Sequence, residues 1–356
     1  MKINGLKNIL EKKNLDFALF FNFDSMECNA NMSYFSSYNG LGALIIPKKD
    51  MPFLLVPKME LERAKYSKIK HAYALEKKRF FESVYGKLKS KGIKAKRIGI
   101  DYNSSTLNFY RNFRKQFKNV KIKDISSDCF RLREIKTKNE KATLKKSCSH
   151  ASKILENAIK NIKEFNTESE VAAFLEHESK KLGLNMAFKP IVASGNNASM
   201  PHYMPKNIKL KKGFCVIDFG VKYKGYCSDI SRTIYLGNAT KKEKRIYDFM
   251  LNTQKQIIEN LKIGDCCGAI YDKCIKNLGD CSKYFIHGLG HGIGIEIHES
   301  PNITLNSKDS IEENMAFTIE PGIYTPKKFG IRIEDTIFME KKPLILTKVT
   351  KDLLRI

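Results

Sequence analysis

A glycine-rich segment with three histidines constrains the fold of this chain more than any other feature. The segment, HGLGHGIGIEIHESP, spans 287–301, and isolated carboxylates lie in apolar stretches on either side of it. The residues concerned are Asp218, Asp229, His287, His291, His298, Glu320 and Glu334. Imidazole together with four carboxylates is enough to hold two divalent metal ions. Few other demands would place acids in apolar surroundings, so the fold must bring these distant segments together.

The two aspartates lie on apolar segments that we predict to form an antiparallel pair of strands. The segments are GFCVIDFG (213–220) and YCSDISRTIYL (226–236). If the turn centres between Tyr223 and Lys224, Asp218 lies opposite Asp229, with Cβ atoms about 5 Å apart. We therefore expect the two carboxylates to face each other, unless a β-bulge shifts the register.

The two glutamates follow the same pattern on a second predicted hairpin. Its strands are TIEPGIY (318–324) and IRIEDT (331–336). A turn centred on Lys327 places Glu320 opposite Glu334, and Arg332 then shares a face with Glu334. Four carboxylates this close repel one another strongly unless cations neutralise them. Ordinary surface acids are the alternative, and the apolar neighbours disfavour it.

Hydrophobic periodicity divides the chain into two domains. The first alternates strands at 17–23, 43–47, 52–56 and 97–101 with helices at 58–68, 77–91 and 104–117, which predicts an α/β domain. A polar boundary at 125–137 precedes a capping box, Thr137 to Glu140, that opens a long helix. Later helices begin near Thr167, Thr240 and residue 266, and hairpins are predicted at 213–236, 285–299 and 315–340. The second domain is therefore predicted to be α+β.

The net charge of +26 raises the question of nucleic-acid binding. The lysines are dispersed along the chain, and no basic patch interleaved with aromatic residues or nucleic-acid motif is evident. We therefore interpret them as a solvated surface. No apolar run approaches the roughly 20 residues that span a bilayer, and the N-terminal segment reads as an amphipathic helix rather than a signal peptide. These features predict a cytoplasmic protein without a membrane partner.

The site motifs resemble those of the pita-bread metallopeptidases, which include Xaa-Pro dipeptidase (prolidase), Xaa-Pro aminopeptidase and methionine aminopeptidase. The resemblance covers about 195–340 with specific motifs. It extends more weakly through the first domain, which is similar to a creatinase/prolidase N-terminal domain. It implies an α/β domain at 1–130 followed by an α+β pita-bread catalytic domain at 138–356.

The resemblance also implies a metal-ligand set. The ligands would be Asp218, Asp229, His291, Glu320 and Glu334. Asp229 and Glu334 would bridge two divalent ions, which could be Mn, Co, Fe or Zn. A bridging hydroxide would be the nucleophile, and Glu320 would carry its proton to the leaving nitrogen.

Four further residues acquire roles from the resemblance. His298 would hydrogen-bond the scissile carbonyl or the tetrahedral intermediate. His202, in ASGNNASMPHY, would contact substrate at the mouth of the site. His287 would line the pocket for the proline side of the substrate. Arg332 would orient Asp229 or the bridging water.

Among the members of this family, the Xaa-Pro peptidases fit best. Methionine aminopeptidase lacks a first domain of this kind, and creatinase and the non-catalytic relatives have lost the ligands, which are all present here. The expected activity is hydrolysis of the bond before proline in Xaa-Pro dipeptides. Two alternatives stay open: an Xaa-Pro aminopeptidase acting on longer peptides, and a non-catalytic basic relative that binds nucleic acid or protein. The resemblance also implies a homodimer.

Overall fold

The computed structural model describes residues 2–23, 28–76 and 79–356. Met1 and the first two residues of the helix predicted over 77–91 lie outside the described residues. Contacts divide the chain into two units, Met1–Arg133 and Glu134–Ile356. Within the described ranges, no helix combines the length and the apolar character needed to cross a membrane.

The first unit is built on one six-stranded sheet. Its strands are Phe17–Asn22 (β1), Gly42–Pro47 (β2), Phe53–Val56 (β3), His71–Ala74 (β4), Arg97–Ile100 (β5) and Lys121–Asp124 (β6). Its helices are Lys2–Lys12 (α1), Ala30–Ser36 (α2), Leu61–Lys65 (α3), Phe80–Ser90 (α4), Leu107–Gln116 (α5) and Ser126–Glu134 (α6). The strand order is β4-β3-β2-β1-β5-β6, with parallel pairs at both edges. The α/β prediction for this part of the chain is confirmed.

The predictions for the first unit were incomplete. Helix α6 occupies most of the segment 125–137, which was predicted only as a polar boundary. The edge strands β4 and β6 were not predicted, because their residues are half-buried or exposed and lack the apolar run of a central strand. The helix predicted over 104–117 is confirmed as α5, and Phe109, Phe113 and Phe117, spaced four residues apart along it and at its C-cap, are all buried.

The second unit combines four helices with short antiparallel sheets. The helices are Lys138–Lys160 (α7), Glu168–Lys181 (α8), Lys241–Glu259 (α9) and Cys267–Leu278 (α10). The first strands are Asn185–Met186 (β7), Ile191–Ser194 (β8), Gly213–Phe219 (β9), Val221–Tyr223 (β10), Tyr226–Cys227 (β11) and Ile230–Leu236 (β12). The remaining strands are Gly290–Gly292 (β13), Glu299–Ile303 (β14), Ala316–Ile319 (β15), Gly322–Thr325 (β16), Phe329–Arg332 (β17), Asp335–Met339 (β18) and Pro343–Ile345 (β19).

The sheets of this unit carry the site, and the helices cover them. A five-stranded sheet runs β14-β13-β15-β18-β19, and a three-stranded sheet runs β12-β9-β8. Apolar side chains of α9 and α10 pack with those of β15 and β17 in one buried core. The capping boxes at Thr137 and Thr240 both form, and they begin α7 and α9. The predicted α+β class is confirmed.

The register predicted for the aspartate hairpin is wrong. Strands β9 and β12 pair with Asp218 opposite Ser231, not opposite Asp229. The turn lies at Lys224 and Gly225, which both have positive φ, at 48° and 84°. A two-residue turn with this geometry matches the twist of a hairpin, and it centres one residue later than predicted.

The register predicted for the glutamate hairpin is confirmed on both sides of the acids. Gly322 pairs with Arg332 and Ile319 with Asp335, which is the register of a turn centred on Lys327. Lys327 itself has φ 59°. The isoleucines flanking Arg332 point into the apolar core, as the alternation of a strand requires.

Strand β13, which carries His291, lies between two closely spaced neighbouring strands. It pairs with β14 on one side and β15 on the other. A Cβ on Gly290 would overlap the carbonyl oxygen of Thr318, and one on Gly292 would overlap that of Ser300. These glycines are therefore required for close approach of neighbouring backbones, which places the His291 ring at a fixed position.

Gly290→Ala tests this packing. We expect the added methyl group to force β13 away from β15 and to lower the free energy of unfolding by about 1–3 kcal/mol. Urea denaturation followed by circular dichroism measures the change. Gly86→Ala is the control, since a Cβ there meets open space in α4, and it should be neutral or stabilising by up to about 1 kcal/mol. Equal midpoints for Gly290→Ala and the wild type would contradict the packing argument.

Candidate metal centre

One cavity of about 440 Å³ in the second unit gathers the residues singled out in the sequence. All nine predicted site residues line it: Asp218, Asp229, His202, His287, His291, His298, Glu320, Arg332 and Glu334. They come from strands β9, β13 and β17 and from the connections around them. Segments more than 100 residues apart in the chain therefore converge, as the sequence predicted.

The tightest cluster at the floor of the cavity is an imidazole with carboxylates. One ligand atom each from Asp229, His291 and Glu334 can be chosen so that all lie within 4.8 Å of one another. His291 Nε2 lies 3.5 Å from Asp229 Oδ2 and 3.5 Å from Glu320 Oε1. Oxygen-rich clusters with one imidazole suit divalent transition metals.

Hydrogen bonding prepares His291 to offer a lone pair to a cation. Its Nδ1 lies 3.0 Å from the carbonyl oxygen of Gly292, which can only accept, so Nδ1 carries the proton. Nε2 is then unprotonated and faces the carboxylates. Burial lowers the pKa of His291 to about 4, with His298 adding to the effect, so the ring is neutral at pH 7.

Three buried carboxylate oxygens of the cluster lack hydrogen-bond donors. One oxygen each of Asp218, Asp229 and Glu334 is buried without a hydrogen-bond partner among the described residues. Burial, reinforced by the neighbouring acids, raises the pKa of Asp229 and of Glu334 well above the usual range. Buried oxygens without donors are costly, and a bound cation would satisfy all three, so the donor set fits divalent metal ions.

Arg332 contacts Asp218 rather than Asp229. Its guanidinium donates to Asp218 Oδ2 at 2.7 Å, whereas the prediction had it orienting Asp229 or the bridging water. It also donates to Ser231 Oγ at 2.9 Å, and Ser231 Oγ in turn donates to Glu334 Oε2 at 2.8 Å. The reason is the corrected register, which sets Asp218 opposite Ser231 rather than opposite Asp229.

His287 is occupied by protein hydrogen bonds at both ring nitrogens. Nδ1 donates to the carbonyl oxygen of Gly288 at 2.7 Å, so Nε2 accepts from the Tyr324 hydroxyl at 2.9 Å. The same hydroxyl accepts from Arg332 at 2.8 Å. Burial lowers the pKa of His287 to about 4. Its ring can therefore line a pocket, but its nitrogens are already committed within the protein.

His298 and His202 are both exposed at the cavity. The ring of His298 lies edge-on to that of His291, with centroids 4.3 Å apart. Burial lowers the pKa of His298. Both side chains are therefore positioned to contact a molecule that enters the cavity.

Glu168 supports the segment that carries His202, a feature that the sequence did not reveal. Its side chain is fully buried at the start of α8. Its Oε1 accepts from Ser194 N at 2.9 Å, from Ser194 Oγ at 2.7 Å and from Asn197 Nδ2 at 2.9 Å. Burial and Glu168 raise the pKa of Tyr203 to about 12. Glu168 thus anchors the backbone on both sides of the turn before His202.

Ser231, Tyr324 and Glu168 were missed for a common reason. Each acts through a partner more than 20 residues away in the chain, such as Glu334 for Ser231 and Ser194 for Glu168. A serine or tyrosine in a strand carries no local signal of such a partner. Only Glu168 left a hint, as an acid in the first turn of a helix.

Two family models match the chain. Residues 142–341 match metallopeptidase family M24, and residues 2–135 match the creatinase/prolidase N-terminal domain. The first match contains all nine predicted site residues.

Individual relatives match over nearly the whole chain. An Xaa-Pro dipeptidase from Pyrococcus furiosus is 38% identical over 336 residues, which cover 91% of this chain and 92% of the relative. The structure of an Xaa-Pro dipeptidase from Bacillus anthracis has a TM-score of 0.90 at 29% identity and covers 100% of this chain and 99% of its own. An X-Pro aminopeptidase from Thermotoga maritima has a TM-score of 0.89 at 27% identity, with coverages of 97% and 99%.

Glu168→Gln should loosen the His202 segment. The neutral amide accepts weaker hydrogen bonds, and a lost bond to a charged group costs about 1.5–3 kcal/mol, or at least about tenfold in an opening equilibrium. We expect amide hydrogen exchange of residues 194–203 to accelerate by that factor, measured by mass spectrometry. Glu170→Gln is the control, because Glu170 is exposed on the same helix. Unchanged exchange in Glu168→Gln would rule out the anchoring role.

Proposed function

Because this chain belongs to metallopeptidase family M24, we propose that it hydrolyses the peptide bond before proline in Xaa-Pro dipeptides. It is a metallopeptidase, and the expected pita-bread domain with a creatinase-type first domain is confirmed. The observation that carries the proposal is the cluster of Asp229, His291 and Glu334, with its buried oxygens that lack donors, inside a cavity large enough for a dipeptide.

Five residues would hold two divalent ions. They are Asp218, Asp229, His291, Glu320 and Glu334, all of which line the cavity. When bound, the ions supply an activated water and polarise the substrate carbonyl. The pair of ions, their identity as Mn, Co, Fe or Zn, and the homodimer remain predictions.

Glu320 is the carboxylate best placed to move a proton. Its side chain is 17% exposed, against 13% for Asp218 and 7% for Asp229. It would accept a proton from the attacking water and deliver it to the proline nitrogen. The C–N bond then breaks, and a carboxylate and a secondary amine leave. Thr318 Oγ1, 3.4 Å from Glu320 Oε1, helps to hold the carboxylate in this orientation.

The histidines around the cavity would bind the substrate. A neutral His298 retains one N–H, which would donate to the carbonyl oxygen as it gains negative charge. His202 would contact the substrate at the mouth. His287 would present its ring to the proline, while Tyr324 and Gly288 hold its nitrogens. Arg332 would keep Asp218 oriented through the 2.7 Å hydrogen bond.

The bond before proline needs a dedicated site because its nitrogen carries no hydrogen. A peptidase that binds an ordinary amide N–H has nothing to accept at this position. An enzyme for this bond must instead recognise the ring, the carbonyl and the free amino group. An apolar rim with neutral imidazoles suits the ring and the carbonyl, and the acidic floor suits the amine.

Relatives support the dipeptide over a longer substrate. The Pyrococcus furiosus relative, at 38% identity, and a Pyrococcus horikoshii relative, at 33%, are both named Xaa-Pro dipeptidases. The complete set of ligands also disfavours a relative that only binds nucleic acid or protein. Cleavage of longer Xaa-Pro peptides is the outcome that would revise the proposal.

Hydrolysis of Ala-Pro, compared with Ala-Pro-Ala and Ala-Ala, tests this function. The wild-type protein, freed of metal and then supplied with Mn²⁺, Co²⁺, Fe²⁺ or Zn²⁺ in turn, should cleave Ala-Pro with the highest kcat/KM. Product release is measured by chromatography of free alanine, which cleavage of any of the three substrates releases. Preference for Ala-Pro-Ala would indicate an aminopeptidase instead, and no cleavage with any metal would refute the proposal.

Asp229→Asn tests the metal site. Saturation with metal at about 100 times Kd should stabilise the wild type by about 2.7 kcal/mol and raise its Tm. The variant should lose this rise and the activity. Without metal it should unfold at or above the wild-type temperature, since one of the mutually repelling acids is gone. Asp280→Asn, an exposed acid outside the cavity, is the control, and an equal metal-induced rise in Asp229→Asn would disprove the assignment.

A further inference from the structure

Two lysine or arginine side chains line the cavity among the described residues, Lys189 and Arg332. Arg332 is 3% exposed, and its donors are committed to Asp218, Ser231 and Tyr324. Lys189 is exposed and has no hydrogen-bond or ion-pair partner within the described part of the chain. The cavity therefore offers one uncommitted cationic side chain of this kind to an incoming molecule.

The backbone around Lys189 is anchored, although its side chain is free. Phe188 packs against Gly220, where an added Cβ would lie 2.8 Å from the phenyl ring. Pro190 is buried. Ile191 begins strand β8 opposite Asp218 and lines the same cavity. Lys189 is two residues before Ile191, and both residues line the cavity, so the backbone of Lys189 is held beside an anchored strand.

An Xaa-Pro dipeptide carries a carboxylate that the metal ligands cannot bind. Its free amine suits the acidic floor, but its C-terminal carboxylate would be repelled there. His287 offers no free donor, since Gly288 and Tyr324 hold both of its ring nitrogens, and Nε2 of His291 faces the carboxylates. A two-residue peptide spans at most about 7 Å, and Lys189 lines the same cavity as the metal ligands.

We propose that Lys189 binds the C-terminal carboxylate of the substrate and thereby makes the enzyme prefer dipeptides. The inference rests on the proposed function and adds the residue that selects substrate length. A longer peptide has a neutral amide at this point, which cannot form an ion pair with the lysine ammonium group. Lys189 then contributes to binding and not to the chemical step.

The test compares Ala-Pro with its C-terminal amide, Ala-Pro-NH₂, on the metal-loaded enzyme. Lys189→Met should raise the KM for Ala-Pro by about tenfold, as expected for a lost charge-assisted hydrogen bond. Its kcat should stay near the wild-type value, because the lost interaction is the same in the ground and transition states. The kinetics for Ala-Pro-NH₂ should be the same for both proteins. Lys189→Arg should restore most of the affinity for Ala-Pro.

Two controls show whether the effect is specific to the position of Lys189 and to the carboxylate of the substrate. Lys255→Met removes the same charge from the exposed face of α9, outside the cavity, and should leave both substrates unaffected. Direct binding of L-proline and prolinamide, by competition with Ala-Pro, should show that only proline loses affinity in Lys189→Met.

Distinct outcomes separate failure of this inference from failure of the proposed function. If Lys189→Met changes the KM values of Ala-Pro and Ala-Pro-NH₂ equally, or changes neither, Lys189 does not read the carboxylate while the peptidase assignment stands. If the wild type cleaves neither substrate with any metal, the proposed function is wrong and the inference is wrong with it.

Discussion

Mutual repulsion among buried carboxylates is the constraint on which the rest of this structure depends. Burial raises the pKa of Asp229 and of Glu334, and the neighbouring acids raise it further. Arg332 forms an ion pair with Asp218 at 2.7 Å, and among the described residues no lysine or arginine forms an ion pair with the other three acids. Such a cluster costs free energy in the folded state. Divalent ions offset that cost, so folding and metal binding are thermodynamically linked.

Breaks in strand pairing place three of the four acids. Asp229 lies between β11 and β12, Glu320 between β15 and β16, and Glu334 between β17 and β18. At two of these breaks the backbone changes partner. The amide of Glu320 donates to Leu289, beside the His291 strand, and that of Glu334 donates to Ser231, beside Asp229. These two backbone hydrogen bonds connect the segments that carry the ligands. Irregular strand pairing of this kind commonly changes the direction of side chains at functional sites.

This dependence on irregular pairing explains what the sequence could and could not predict. The four central strands of the first unit were found because they are buried on both faces, whereas the edge strands β4 and β6 carry no comparable apolar run. The glutamate register followed correctly from a turn at Lys327. The aspartate register did not, because the predicted turn left out Gly225, the residue best able to adopt the positive φ that the observed pair, Lys224 and Gly225, requires. Convergence of the acids was predicted correctly, but for Asp229 the break in pairing, not an opposing register, produces it.

The geometry also separates catalysis from the choice of substrate length. A proline nitrogen has no hydrogen to donate, so selectivity must come from the ring and from the two ends of the peptide. Under the proposed function, the acidic cluster would face the amine end and the carbonyl of the substrate, and this arrangement would be the same for a peptide of any length. Similarity of fold therefore does not determine the length of the peptide substrate. Structures named Xaa-Pro dipeptidase and X-Pro aminopeptidase match this chain with nearly equal TM-scores, 0.90 and 0.89. The carboxylate end of the substrate must therefore be recognised by residues outside the ligand set. Among the described residues that line the cavity, Lys189 is the lysine or arginine without a hydrogen-bond or ion-pair partner in the protein.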